Sequence, residues 1–117
     1  MSVSYSLPSP PTVNGLFVQL GDRRVKTKAY AAWRGAAGWE IHAQGRKRIK
    51  GEVAVLIEVR KPDKRRRDID NIIKSCLDLM TELGVIEDDS MVMDVRARWV
   101  AIGDPCVVTV NQVPQTP

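Results

Sequence analysis

The sequence predicts a single α+β domain, a mixed sheet with two main helices packed on one of its faces. Three observations predict it. A chain of 117 residues holds one core of two packed layers and not two independent cores. Two stretches, 27–43 and 70–83, place apolar residues at helical spacing, and short β-rich runs lie before, between and after them. The resulting order is strand, helix, strand, helix, strand, strand, without internal repeats, which suits a sheet layered against helices.

The elements follow in chain order. Residues 3–7 alternate apolar and polar side chains as a short strand does, and Pro8, Pro10 and Pro11 end it, because proline donates nothing to a ladder. Over 12–26 there is no clean period; Leu16, Phe17, Val18 and Leu20 read as a strand or loop packed on the core. Tyr30, Trp33, Ala37 and Ile41 then recur at helical spacing in an Ala-rich segment, weakened by Gly35 and Gly38. The basic "GRKRIKG" that follows reads as an exposed connection.

"EVAVLIEV" (52–59) is a strand whose continuous apolar middle suggests burial on both faces. After a polar loop over 61–67, Asp68 or Asp70 is suited to cap a helix whose stripe is Ile69, Ile72, Ile73, Cys76, Leu79, Met80 and Leu83. Gly84 stops it. In "MVMDVRARWV" (91–100), Met91, Met93, Val95, Ala97 and Trp99 point one way, and Asp94, Arg96 and Arg98 the other. "CVVTVNQV" (106–113) is a last strand, joined through a "GDP" turn, so 91–100 and 106–113 are expected to form a hairpin. The domain is read as 1–117, with about 113–117 frayed.

Composition excludes several classes. No run reaches the roughly 18 apolar residues of a membrane-spanning helix. The opening "MSVSYSLPSPP" lacks the basic and apolar regions of a secretion signal. Cys76 and Cys106 sit in apolar runs as small core residues, and nothing requires a disulfide, so a reducing cytoplasm is the expected compartment. With 18 Lys+Arg against 14 Asp+Glu the net charge is +4 and the pI about 9.3. That bias is modest, but its distribution is not. Ten of the 18 basic residues fall in two clusters: Arg46, Lys47, Arg48 and Lys50, then Arg60, Lys61, Lys64, Arg65, Arg66 and Arg67.

The second cluster runs straight into carboxylates. In "DKRRRDIDNIIK", Asp68 and Asp70 bracket a helix start, and Lys74 lies one helical turn after Asp70 on the same face. Asp88 and Asp89 follow the end of that helix, about 20 Å along its axis, so the two acidic groups meet only if the chain folds back. Carboxylates brought together repel unless a divalent cation neutralises them, and hard oxygen donors suit Mg²⁺ or Mn²⁺. With one histidine, His42, and two core cysteines, a zinc site is not expected. A Mg²⁺ on a phosphodiester would polarise it, a neighbouring lysine would stabilise developing charge, and the arginines would grip flanking phosphates. The same residues also fit a plainer reading. An Asp at a helix start caps it, an Asp–Lys pair four apart is a solvated pair, "EDDS" is a turn, and an Arg run is a solvated loop. Asp94 fits a solvent-facing strand position, while Trp33 and Trp39 fit core or interface positions.

"PDKRRRDIDNIIKSCLDLMTELGVIEDDSMVMDVRARW" resembles the central block of the RusA family of Holliday-junction resolvases: Pro-Asp, an arginine run, Asp-x-Asp-Asn, a lysine three residues on, a helix ending in Gly, and an Asp-Asp pair. "LPSPPTVN" resembles the family's Pro-rich opening that leads to an asparagine, here Asn14. The resemblance implies a homodimeric, Mg²⁺-dependent endonuclease, with Mn²⁺ able to substitute, that nicks four-way DNA junctions symmetrically. It implies Asp68, Asp70 and Asp89 as catalytic metal ligands, Lys74 as the catalytic lysine, and Asp88 as a further possible ligand. Lys64, Arg65, Arg66, Arg67, Arg46, Lys47, Arg48, Lys50 and Asn14 are the expected DNA contacts. It implies a bacterial or phage origin, and no membrane or small-molecule cofactor is expected. A dimer also suits a two-fold junction, since one small chain with one acidic cluster supplies one cut. A non-catalytic DNA-binding module and a nuclease for flaps or forks are the alternatives.

Overall fold

The computed structural model describes residues 1–11, 16–61 and 69–114. Along the chain these form β1 (Ser2–Leu7), β2 (Phe17–Leu20), β3 (Arg23–Lys26), α1 (Lys28–Gln44), β4 (Val53–Arg60), α2 (Ile69–Glu82), a 3-10 turn (Asp89–Met91), β5 (Val92–Val100) and β6 (Cys106–Gln112). The main sheet has the order β1-β6-β4-β5, and β2 and β3 form a separate hairpin. Only β4 and β5 pair parallel, so the sheet is mixed, as expected.

Cross-strand register explains why the helices lie on one face. Tyr5, Val108 and Ile57 stand side by side, as do Leu7, Cys106 and Val59. All six are buried, together with Tyr30, Trp33, Ala37 and Ile41 of α1 and Ile72, Cys76, Leu79 and Met80 of α2. The alternate residues carry Ser4, Thr109, Leu56 and Arg96 on a face that no helix among the described residues covers. There, Arg98 pairs with Glu58 at 2.6 Å. Burial of β4 on both faces is therefore not found: Val53, Val55, Ile57 and Val59 are buried, whereas Ala54, Leu56 and Glu58 remain half-exposed.

The expected hairpin of the last two strands is also absent, because β4 lies between β5 and β6. A parallel β4–α2–β5 crossover places β5 on one side of β4, and residues 101–105 must then step over the carboxyl end of β4. Arg60 pins that step, its amide donating to the Pro105 carbonyl at 3.0 Å and its Nη1 to the Gly103 carbonyl at 3.0 Å. β1 and β5 are the two edges of the sheet, and Met93 of β5 bulges out of register with β4.

Tyr5 ties sheet to helix. Its hydroxyl donates to the Gly45 carbonyl at 3.1 Å and accepts from the Lys47 amide at 2.8 Å, fixing the connection that carries Arg46, Lys47 and Arg48. Tyr5→Phe strands both backbone groups and is expected to cost about 1–3 kcal/mol, seen as a lower urea midpoint with an unchanged slope.

Candidate functional site

One half of the site is the start of α2. The helix begins at Ile69, so Asp70 sits inside its first turn and does not cap it. Amphipathic spacing turns Ile72, Cys76 and Met80 into the core and leaves Asp70 and Lys74 exposed. The Lys74 Nζ lies 6.0 Å from the centroid of the Phe17 ring. The Arg24 guanidinium lies over the same ring at 4.4 Å. Phe17 in turn meets Tyr30 edge-on at 5.6 Å, and Tyr30 anchors α1 in the core. Lys64, Arg65, Arg66, Arg67 and Asp68, and likewise Asn14, lie outside the described residues.

The other half lies beyond the far end of α2. Gly84, at φ +74°, closes the helix. Its amide donates to the Thr81 carbonyl and that of Val85 to the Met80 carbonyl, the paired bonds of a Schellman motif. Ile86 then bridges to Ile49, whose amide donates to Val85 at 2.8 Å. The basic 46–50 connection is thus fastened here and is not wholly exposed, since Ile49 is buried. Arg46 donates to the Leu83 carbonyl, Arg48 stands 3.9 Å from Glu87, and Glu87 accepts from the Gly51 amide at 2.6 Å.

Asp88 caps the 3-10 turn, accepting from the hydroxyl and the amide of Ser90. The side-chain bond from Ser90, followed by the backbone one, holds its carboxyl below the usual carboxylate range. A depressed carboxyl stabilises fully above its unfolded pKa and loses that contribution as pH falls through the lower folded value, so the cap is intact at neutral pH. Asp88 therefore shapes the turn on which the exposed Asp89 stands.

The fold holds these halves apart within one chain. Asp70 and Glu82 are separated by twelve helical residues, about 18 Å. Side by side with α1, α2 sets Asp78 against Tyr30, Glu82 against Arg34 and Leu83 against Gly38, so the two helices run the same way. Trp33 reaches the Pro8 carbonyl just past β1, and α2, lying between the parallel strands β4 and β5, starts at the carboxyl end of β4. Asp89 sits at the opposite end, three residues before Val92, which pairs with Val53 at the beginning of β4. β5 does run back toward the start of α2, but Asp89 precedes it. Among the described residues no three Asp, Glu, His or Cys side chains come together as a metal cluster. Asp94 is exposed on the uncovered sheet face, paired in register with Ala54. Trp33 is core and Trp39 is 67% exposed.

The strand option over Leu16, Phe17, Val18 and Leu20 is met by β2, though Val18 and Leu20 are exposed and only Leu16 and Phe17 pack on the core. The pairing of β2 with β3, which brings Phe17 to Arg24 beside Arg23, Lys26 and Lys28, is what sequence reasoning missed. The available signal was "LGDR", a two-residue Gly-X turn between short runs, with Gly21 at φ +62°.

The model of the family described as Endodeoxyribonuclease RusA matches residues 8–111. The chain belongs to the RusA family. A RusA relative from Aquifex aeolicus (strain VF5), the crossover junction endodeoxyribonuclease RusA, is 34% identical over 91 residues, covering 77% of this chain and 71% of that one. RusA proteins of the same name from Escherichia coli (strain K12) and Enterobacteria phage 82 are each 46% identical over 44 residues. Those matches cover 38% of this chain and 37% of each RusA relative.

Proposed function

We propose that this protein is a Mg²⁺-dependent endodeoxyribonuclease that resolves four-way DNA junctions as a homodimer, by paired symmetric nicks. The observation that carries the reading is the whole set Asp68-x-Asp70-Asn71, Lys74 and Asp88-Asp89 in a RusA-family chain, with Asp70 and Lys74 both exposed on one face of α2. The relatives' names point to the same substrate.

The donor set fits a hard cation. Asp68, Asp70 and Asp89 offer only oxygen, with Mn²⁺ the natural substitute for Mg²⁺, and both cysteines are buried in the core. When bound, such an ion supplies Lewis acidity at the phosphoryl oxygen and lowers the pKa of a coordinated water. The chain's own residues do the rest. Lys74 places a positive charge where negative charge develops. Arg65, Arg66, Arg67 and Lys64 on one side, and Arg46, Lys47, Arg48 and Lys50 on the other, hold the backbone.

A site divided between the two ends of α2 is completed most simply by two copies of the chain. Asp68, Asp70 and Lys74 of one subunit would face Asp88 and Asp89 of its partner. Two-fold symmetry then yields two equal sites for the two equivalent strands of a junction.

The test is a synthetic four-way junction beside linear duplex of the same sequence, each with Mg²⁺ or with EDTA. Mg²⁺-dependent nicking confined to the junction is expected. Junction binding without nicking under any metal would reduce the protein to a DNA-binding module. Equal cutting of duplex, or a preference for flaps or forks, would remove the resolvase assignment.

A further inference from the structure

We infer that Arg24, carried on the β2–β3 hairpin and seated on Phe17 beside Lys74, is a DNA-backbone contact of the Asp70–Lys74 half-site. Phe17 acts as the positioning residue for both cations. The inference rests on reading that half-site as part of a nuclease.

Three observations support it. First, the hairpin adds little to the core. It is a separate two-stranded unit, and a lone hairpin is marginally stable without an anchor. Leu16 and Phe17 provide that anchor, with the Thr27 amide donating to the Leu16 carbonyl at 3.0 Å, while Val18 and Leu20 are 44% and 59% exposed. Second, it is densely basic. Arg23, Arg24 and Lys26, with Lys28 next to them at the start of α1, are all exposed, and none of them forms an ion pair with a described carboxylate. The 46–50 cluster differs, since Arg46 and Arg48 face the Leu83 carbonyl and Glu87 at the other end of α2.

Third, the geometry concentrates like charge. Arg24 and Lys74 both lie within 6.0 Å of one ring centroid, each attracted to its π face. Two cations held at one ring repel each other, and anions brought up to them relieve the repulsion. At a half-site that handles DNA, those anions are successive backbone phosphates. Lys74 is assigned to the phosphate being cut, so Arg24 takes the neighbouring one, and its planar fork suits two phosphate oxygens.

The experiment measures binding to a four-way junction in EDTA across a salt series. The proteins compared are wild type, Arg24→Gln, Arg24→Lys, Phe17→Leu and Phe17→Tyr, with Arg98→Gln as a cation on the uncovered sheet face. Arg24→Gln is expected to flatten the slope of log K against log salt by about 0.9 for each subunit bound. In Mg²⁺ its KM should rise more than its kcat falls. Arg24→Lys should restore the slope, because the charge returns to the same seat. Phe17→Leu should flatten it with thermal stability retained, whereas Phe17→Tyr, which keeps the ring face, should not. Arg98→Gln should match wild type. A wild-type slope and affinity for Arg24→Gln, in protein that nicks junctions normally, would overturn this inference and leave the functional reading standing. A wild-type protein that does not bind the junction would bring down both.

Discussion

Asp70→Asn is expected to slow Mg²⁺-dependent nicking of a four-way junction by about three orders of magnitude, or about 4 kcal/mol at the transition state. Junction binding in EDTA should be retained or tightened. The substitution keeps the size of the side chain and one carbonyl oxygen but removes the negative charge needed to hold a divalent ion. The same charge opposes an incoming phosphate while no metal is present, which is why binding should not suffer. Asp70 lies exposed in the first turn of α2, clear of the stripe formed by Ile72, Cys76 and Met80, so the core is untouched. The checks are single-turnover nicking and metal-free binding on the same preparation. A large loss of metal-free binding would mean that Asp70 is structural, and full activity would remove it from the ligand set.

Mixing two inactive proteins should restore activity. If Asp70 of one subunit works with Asp89 of its partner, a heterodimer of Asp70→Asn and Asp89→Asn subunits contains one site with both substitutions and one intact site. Random exchange makes half of the dimers mixed, so about a quarter of wild-type sites return. Each mixed dimer should nick only one strand, giving nicked junctions in place of resolved duplexes. A site contained in one chain predicts no recovery, since every site would then carry a substitution. Asp70 and Asp89 stand at opposite ends of α2, with Asp89 next to the start of β4, which favours recovery. Asp68→Asn mixed with Asp70→Asn serves as the control and should stay inactive, because both residues belong to the same half.

Local chemistry was legible in the sequence where period and capping agree with the fold. The stripe Tyr30, Trp33, Ala37 and Ile41 is buried, and so are Ile72, Cys76, Leu79 and Met80. Gly84 ends α2 with a left-handed residue, the conformation glycine adopts most readily. Neighbour relations between strands were not legible. The short connection after Val100 suggests a hairpin, yet β5 is committed to β4 by the crossover, and Arg60 holds the connection across the strand end. The continuous apolar run of β4 suggests two buried faces, but both helices pack on one, leaving Leu56 beside Arg96 and Thr109 on the other.

The candidate site divides in the same way. Residue types and spacing over a few turns are local properties, so Asp70 and Lys74 on one helical face, Asp88 and Asp89 past a glycine stop, and the two basic clusters could all be read from the chain alone. Separation through space is not local. That α2 runs alongside α1 and away from the carboxyl end of β4, holding the acidic groups apart, follows from sheet order and helix packing, which arise from contacts between residues distant in sequence. The seating of Arg24 and Lys74 on one ring has the same origin, since Phe17, Arg24 and Lys74 lie on three different elements and meet only because Tyr30 and Leu16 anchor the hairpin against the core.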